Sequence, residues 1–388
     1  MIIKSLLSQD LYKLTMLQVF YREFPEATAK YRFKCRNKDV DLLPFKKEIE
    51  EEIDALCELR FTDEELAYLE TLRFIFPDFI DYLEDFNLKR RYINVGEKDG
   101  KLDIVMNGPI TRVSPFEIFV LKIVHEVYTR NVNPPNETIL GEGRRRLVDK
   151  IVDFKKFVDE NGYKPSVIDF GGRRSYTTEW HEFVVRNLNT AGVIIGTSDV
   201  DLARRVGIKA IGTQAHEYIQ MFQAFYHPMD SQRIAFESWL DFYGNDLGTL
   251  LSDTLGDKKF LIDFTPDIAH RASSVRHDSG DPLVWGEMIL AHYNAFGIDP
   301  IQKTLVFSDG LDFHKMFEIE RRFHGRVKTA YGIGTHLTND FSCDALQNVV
   351  KLVEVDGKPV AKISNNISKS MCEDNEYFTY LKDCLKKL

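Results

Sequence analysis

Histidine, arginine, aspartate, serine and threonine recur in one kind of place along this sequence: directly after short apolar runs. The turns read Gly171-Gly172-Arg173-Arg174, Thr197-Ser198-Asp199, Gln214-Ala215-His216, Asp253-Thr254, His277-Asp278-Ser279-Gly280-Asp281, Ser308-Asp309-Gly310 and Ile333-Gly334-Thr335. Arg173, Arg174 and Arg276 are planar cationic forks suited to a carboxylate or a phosphate. Each can equally be spent on a neighbouring acid. The small residues of Gly332-Ile333-Gly334-Thr335 let backbone N–H groups approach a phosphate, although a lone pattern of this kind reads as readily as a tight turn. Ser308-Asp309-Gly310 could share that anion site. His216, three residues after Thr213, is a candidate general base or nucleophile, whereas most of the ten histidines are expected at the surface or in packing. His216-Glu217 does not complete an HExxH zinc motif, and a Walker A loop, a GxSxG elbow, a full GxGxxG and a metal cluster are absent from the sequence.

Turns of this kind need elements to bring them together. The runs that precede them are 167–170, 193–196, 210–213, 249–252, 273–276, 304–308 and 328–332, each followed by a helical segment. Strands alternating with helices of this length predict βαβ units with parallel strands. Seven units in series predict a β/α barrel or a long doubly wound sheet, with the polar turns converging on one face or lining one crevice. Singly, each turn reads as structural; seven together point to a site.

The flanks differ. Residues 5–24 carry helical periodicity, 28–35 alternate as a strand, and helical patterns follow to about residue 86. A strand is predicted over 102–108 and a helix over 116–128, and the turn-rich 131–137 marks a junction. After 345, residues 348–365 read as a hairpin around Asp356-Gly357, followed by a helix near 375–386. The expected division is 1–133 as the N-terminal part of an α+β sandwich, 134–345 as the barrel, and 346–388 as a hairpin and helix returning to the sandwich.

The chain has 388 residues, 44% hydrophobic and 29% charged, which excludes disorder and collagen-like repeats. Lys+Arg 51 against Asp+Glu 60 gives −9, so nucleic acid is not the default partner. No apolar run approaches the roughly 18 residues of a membrane span. Lys4, Asp10 and Lys13 interrupt any signal-peptide core. Five cysteines without CxxC spacing suit reduced thiols in a cytosol.

Taken in order, SLLSQDLYKLTM, FGGRR, GTSDVDLARR, GTQAHEY, RHDSGDP, TLVFSDGLD and YGIGTHLTND resemble the nicotinate phosphoribosyltransferase family, and the likeness covers essentially the whole chain. One departure is Gly172, where relatives often carry a side chain; both arginines remain. The resemblance implies a type II phosphoribosyltransferase: an irregular seven-stranded α/β barrel with an open-faced α+β sandwich built from both chain ends, working as a cytoplasmic homodimer with shared active sites. It implies that nicotinate and 5-phosphoribosyl 1-diphosphate (PRPP) give nicotinate mononucleotide and diphosphate, coupled to ATP hydrolysis, on the route to NAD. By the same resemblance His216 becomes transiently phosphorylated, Arg276 and Thr213 lie near nicotinate, Tyr12 stacks on the pyridine ring, of its own subunit or across the dimer interface, and Thr335 belongs to the PRPP phosphate site.

The chemistry of such ligands agrees with these residue types. A flat aromatic carboxylate needs one aromatic face and one guanidinium. Tyr12, in a segment whose other faces look core-like, can equally be a packing residue. The charges of PRPP give a use to Arg173, Arg174, Arg276 and the backbone of Gly334 and Thr335, with Ser198 and Ser279 as further polar contacts. Mg²⁺ would be needed to neutralise the diphosphate. Asp278, Asp281 and Asp309 could meet it directly or through water, and each can equally cap the following helix. Nicotinamide would leave Arg276 without a partner, and quinolinate would want more cations. A sugar-phosphate aldolase or isomerase should show a Lys or Glu at a strand end, and none of the seven carries a Lys. A silent binding paralogue should have lost the polar turns.

Overall fold

The computed structural model describes residues 1–212, 214–364, 370 and 372–387. They form two compact units, one of residues 1–26, 30–212 and 333–351, the other of residues 27–29, 213–332 and 352–388. Among the described residues, twelve strands fall into two sheets. The first has the order β12-β11-β1-β3-β2 and draws on both chain ends: β1 (Thr28–Cys35), β2 (Ile93–Lys98), β3 (Lys101–Pro109), β11 (Asn348–Val355) and β12 (Lys358–Pro359). The β2/β3 and β11/β12 pairs are antiparallel. Asp99-Gly100 and Asp356-Gly357 close them with positive φ at both residues (52° and 72°, 47° and 71°), the geometry that matches the twist of a two-residue hairpin. The hairpin predicted around Asp356-Gly357 is therefore present. β2 was not predicted, because Gly96, Glu97 and Lys98 hide its alternation.

The second sheet is the seven-stranded β/α half-barrel, in the order β6-β5-β4-β10-β9-β8-β7. Its strands are β4 (Val167–Asp169), β5 (Ile194–Thr197), β6 (Lys209–Ala210), β7 (Thr249–Leu251), β8 (Ser274–His277), β9 (Thr304–Phe307) and β10 (Lys328–Ile333). Helices cover the connections, as parallel strands require. The predicted strand at 210–213 shrinks to Lys209–Ala210. Gly212 then passes so close to the N-terminal segment that a Cβ would stand 3.2 Å from Tyr12 N.

Each unit has its own packed interior. In the first, helix Phe116–Val132 is apolar on nearly every side, and Phe116, Ile118, Phe119, Val120, Ile123, Val124 and Val127 are at most 1% exposed, as expected of a core helix. Residues 5–10, read as the start of a helix, instead follow a turn and a bend, with Ser8 N donating to Ser5 O and Gln9 N to Leu7 O, and the helix begins at Leu11. Backbone bonds from Leu11 N to Ser198 O, Val200 N to Gln9 O and Asp201 N to Leu7 O hold this stretch beside the β5 turn. In the second unit, Trp239, Phe236, Phe260 and Tyr293 are fully buried, the two phenylalanines each stabilising by about 1.5–3 kcal/mol. The helix Asn375–Lys386, expected beside the N-terminal region, packs within this unit. Its Leu381 meets Leu255 and Ala361, because Tyr377, Phe378, Leu381 and Leu385 form an apolar stripe at helical spacing.

Candidate active site

Three successive strands of the second unit end in the residues that build the site. Val275 is buried inside the sheet, and Arg276 lies opposite Leu251 of β7 and Val306 of β9. Its Nε donates to Ser308 Oγ (2.8 Å), and its Nη2 reaches Asp278 Oδ1 (3.3 Å). Ser308 is fixed in turn, its N donating to His277 O (3.1 Å) and its Oγ within 3.0 Å of Asp278 Oδ1. Burial alone would raise the Asp278 carboxyl, but the Arg276 guanidinium leads a set of opposing charges that hold it down at about 2.

His216 opens the helix His216–Phe225. Gln214 ties the preceding turn to β7, its Nε2 donating to Thr249 O (3.3 Å). The His216 ring faces the end of β7: Nε2 is 2.7 Å from Asp253 Oδ1 and 3.7 Å from Asp278 Oδ2. The C-terminal segment adds Lys362, whose Nζ lies 2.8 Å from Asp253 Oδ2 and 2.7 Å from His216 Nε2. Burial, then the Lys362 ammonium, lowers the imidazole to about 4 despite both carboxylates. Its place in the first helical turn acts in the same direction, since a helix N-terminus disfavours a cation. Burial would raise Asp253, but His216 and Lys362 hold its carboxyl well below the ordinary range. The ring is neutral at physiological pH and 14% exposed, so it can attack an electrophile that reaches it. Ser279, buried, completes the group through Ser364: the two hydroxyls are 3.0 Å apart, and Ser364 Oγ is 3.3 Å from Asp253 Oδ2.

His216, Asp253 and Asp278 have donor atoms within 4.8 Å of one another. Lys362 already occupies the space where a divalent cation would meet Asp253 and His216, so this trio does not fit one. Asp281 is a helix cap, its Oδ1 accepting from Leu283 N (2.8 Å) and Val284 N (3.0 Å). Asp309, half-buried, sits in the turn after β9 beside Gly310 (φ 55°).

The first unit holds the other predicted residues. Asp10 accepts from Ser198 Oγ (2.6 Å) and stands 3.5 Å from Arg173 Nε. Lys122 Nζ clamps Asp199 Oδ2 (2.6 Å) and Ser8 O (3.0 Å). Tyr12 follows and is 7% exposed within the single chain. Beneath the arginine turn, Asp169 accepts from Gly171 N (2.9 Å) and Thr197 Oγ1 (2.6 Å) and pairs with His181 Nε2 (2.8 Å). Arg174 turns to structural work, its Nη2 donating to Asn348 O (3.0 Å). Gly334 precedes the short helix Thr335–Thr338, and Thr338 Oγ1 donates to Gly171 O (2.9 Å), which sets the Thr335 turn beside the FGGRR turn. Thr213 lies outside the described residues.

Sequence reading missed three participants. Lys362 lies 146 residues from His216 in the chain, in a hairpin that looked structural. Asp253 stood among the strand-end residues but was not singled out. Asp10 carries no signal beyond its motif.

Two family models match the chain: the nicotinate phosphoribosyltransferase N-terminal domain over residues 7–125 and the nicotinate phosphoribosyltransferase family over residues 166–387. A nicotinate phosphoribosyltransferase of Chromobacterium violaceum is 45% identical, over 99% of this chain and 97% of that protein. One of Cupriavidus necator is 46% identical over 98% of each. A crystal structure of nicotinate phosphoribosyltransferase from Vibrio cholerae aligns with a TM-score of 0.94 at 34% identity, covering 99% of this chain and 94% of the other. With these matches along nearly its full length, the chain belongs to the nicotinate phosphoribosyltransferase family.

Proposed function

We propose that the chain joins nicotinate to PRPP, giving nicotinate mononucleotide and diphosphate, and couples this to ATP hydrolysis through a phosphohistidine at His216. The observation that carries the reading is an imidazole set between two carboxylates and an ammonium, beside Arg276, at the ends of β7, β8 and β9.

In the transfer step the pyridine nitrogen, which carries no proton, forms the bond to ribose C1 as the C1–O bond to diphosphate breaks. Diphosphate leaves with the electron pair. Alignment and stabilisation of the leaving charge suffice for this step. Arg276 pairs with the nicotinate carboxylate, and Tyr12 supplies an aromatic face. Arg173, Ser198, Gly334 and Thr335 contact PRPP. In the coupling step an unprotonated ring nitrogen of His216 bonds the γ-phosphorus of ATP, the bond to ADP breaks, and water later releases phosphate. The phosphoryl group adds roughly −1.5 to −2 charges and so biases PRPP binding. Mg²⁺, when bound, would neutralise charge on the diphosphate leaving group; Asp309 and Asp281 are acids of the strand-end turns outside the His216 trio.

The reading includes a homodimer with shared active sites in the cytoplasm; among the described residues no helix is long and apolar enough to cross a membrane. An aldolase-type reading would need a neutral lysine, whereas Lys362 is spent as an ammonium on Asp253. The test is to incubate the protein with PRPP and Mg²⁺, with nicotinate, nicotinamide or quinolinate, with and without ATP, and to resolve the mononucleotides by chromatography. Product from nicotinate alone, increased by ATP, is the expected result; product only from another base overturns the reading.

A further inference from the structure

We propose that Lys362 is a positioning residue for His216: its ammonium balances the carboxylates around the ring and so leaves one ring nitrogen without a proton for attack. This rests on the phosphohistidine reading above.

Three observations carry it. First, Lys362 Nζ meets both members of the pair, Asp253 and His216, while the side chain is only 3% exposed. A buried ammonium is retained at a desolvation cost unless the charge has a use or a full set of partners. Second, the segment does not need that side chain to stay in place. Ile363 N donates to Thr254 O (2.9 Å), Ala361 N to Gln223 Oε1 (2.9 Å), and Gln223 Nε2 to Ala361 O (2.8 Å). Third, the charges facing the ring are two carboxylates, Asp253 from the end of β7 and Asp278 from the end of β8, with buried Glu217 next along its own helix. Acids at these distances draw a proton onto an imidazole, and a protonated imidazole is no nucleophile. Among the described residues, Lys362 is a cation that touches the ring and opposes them.

The experiment uses the full chain and its Lys362→Gln, Lys362→Met and Lys362→Arg variants. Acid-labile protein phosphate from γ-labelled ATP is followed against pH, with thermal unfolding as a check on the fold. Lys362→Gln and Lys362→Met are expected to form phosphohistidine at least roughly tenfold more slowly near neutrality, the equivalent of one charge-assisted hydrogen bond. Their acid limb should move to higher pH, because the ring then titrates under two uncompensated carboxylates. Lys362→Arg should restore the acid limb. Two neutral variants are used so that misfolding of one leaves the other to decide. An unshifted acid limb with an undiminished rate in a folded neutral variant overturns the proposal. So does a loss in Lys362→Arg equal to that in Lys362→Met, which would mark a packing role only. Wild-type protein that takes up no label at all would instead sink the phosphohistidine reading.

Discussion

Among the described residues, two buried or part-buried imidazole–carboxylate pairs have nearly the same length, His181–Asp169 at 2.8 Å and His216–Asp253 at 2.7 Å. In the first unit, His181 and Asp169 are 2% and 0% exposed, and the carboxylate also accepts from Thr197 Oγ1 and Gly171 N. Nothing is left over, and the pair acts as a rivet under the FGGRR turn. In the second unit the ring keeps an exposed edge, and its carboxylate is shared with a lysine from the chain's far end. The hydrogen bond is the same in both. What differs is the setting: the first pair is sealed by further donors, whereas the second ring is part-exposed and its carboxylate is shared with Lys362. A histidine next to an aspartate is therefore no signature of chemistry on its own.

The contrast can be broken most forcefully at the rivet. Asp169→Ala should lower stability by about 3–5 kcal/mol, the cost of stripping a buried pair of one partner, measured by chemical denaturation; a loss below about 1 kcal/mol would remove the distinction. At the reactive pair's edge, Arg276→Gln should raise the nicotinate KM roughly 10- to 100-fold, matching a charge-assisted bond of about 1.5–3 kcal/mol, with little change in melting temperature. An unchanged KM would take the carboxylate away from Arg276. Gly171→Ala is a smaller probe. A Cβ there would come within 2.3 Å of Thr338 Oγ1 and Cγ2, so about 1–3 kcal/mol of overpacking is expected. It should appear as a lower melting temperature.

Acid titration sharpens the same division. Burial first, then Arg174, holds His125 down at about 3, while His216 is held at about 4. Unfolding lets both rings take protons at their ordinary value of about 6.5. The unfolded chain thus binds more protons as pH falls, and stability should decline from about pH 6.5 down to these lower values. Stability that rose on acidification through that window would contradict the burial of neutral rings.

Much of this was legible in the sequence, because alternating strands and helices force polar turns to strand ends. Arg276, Asp278, Ser279 and His216 follow from that rule once β6 and β8 are placed. Lys362 does not, since no periodicity links residue 362 to residue 216, and only the fold of the C-terminal segment brings them to 2.7 Å. Residues 5–10 misled for a related reason. Their apolar spacing fits a helix, but pairing with the β5 turn wins. Arg174 looked like Arg173, and the difference lies in Asn348 O, a backbone acceptor that no side-chain pattern reveals.

The most direct test of the central claim is the ATP stimulation of nicotinate mononucleotide synthesis in wild-type protein and in His216→Ala, alongside acid-labile phosphate on the protein. A wild type that is stimulated and labelled, with a folded His216→Ala that is neither, is the predicted result. Equal stimulation by ATP in the two proteins would contradict it.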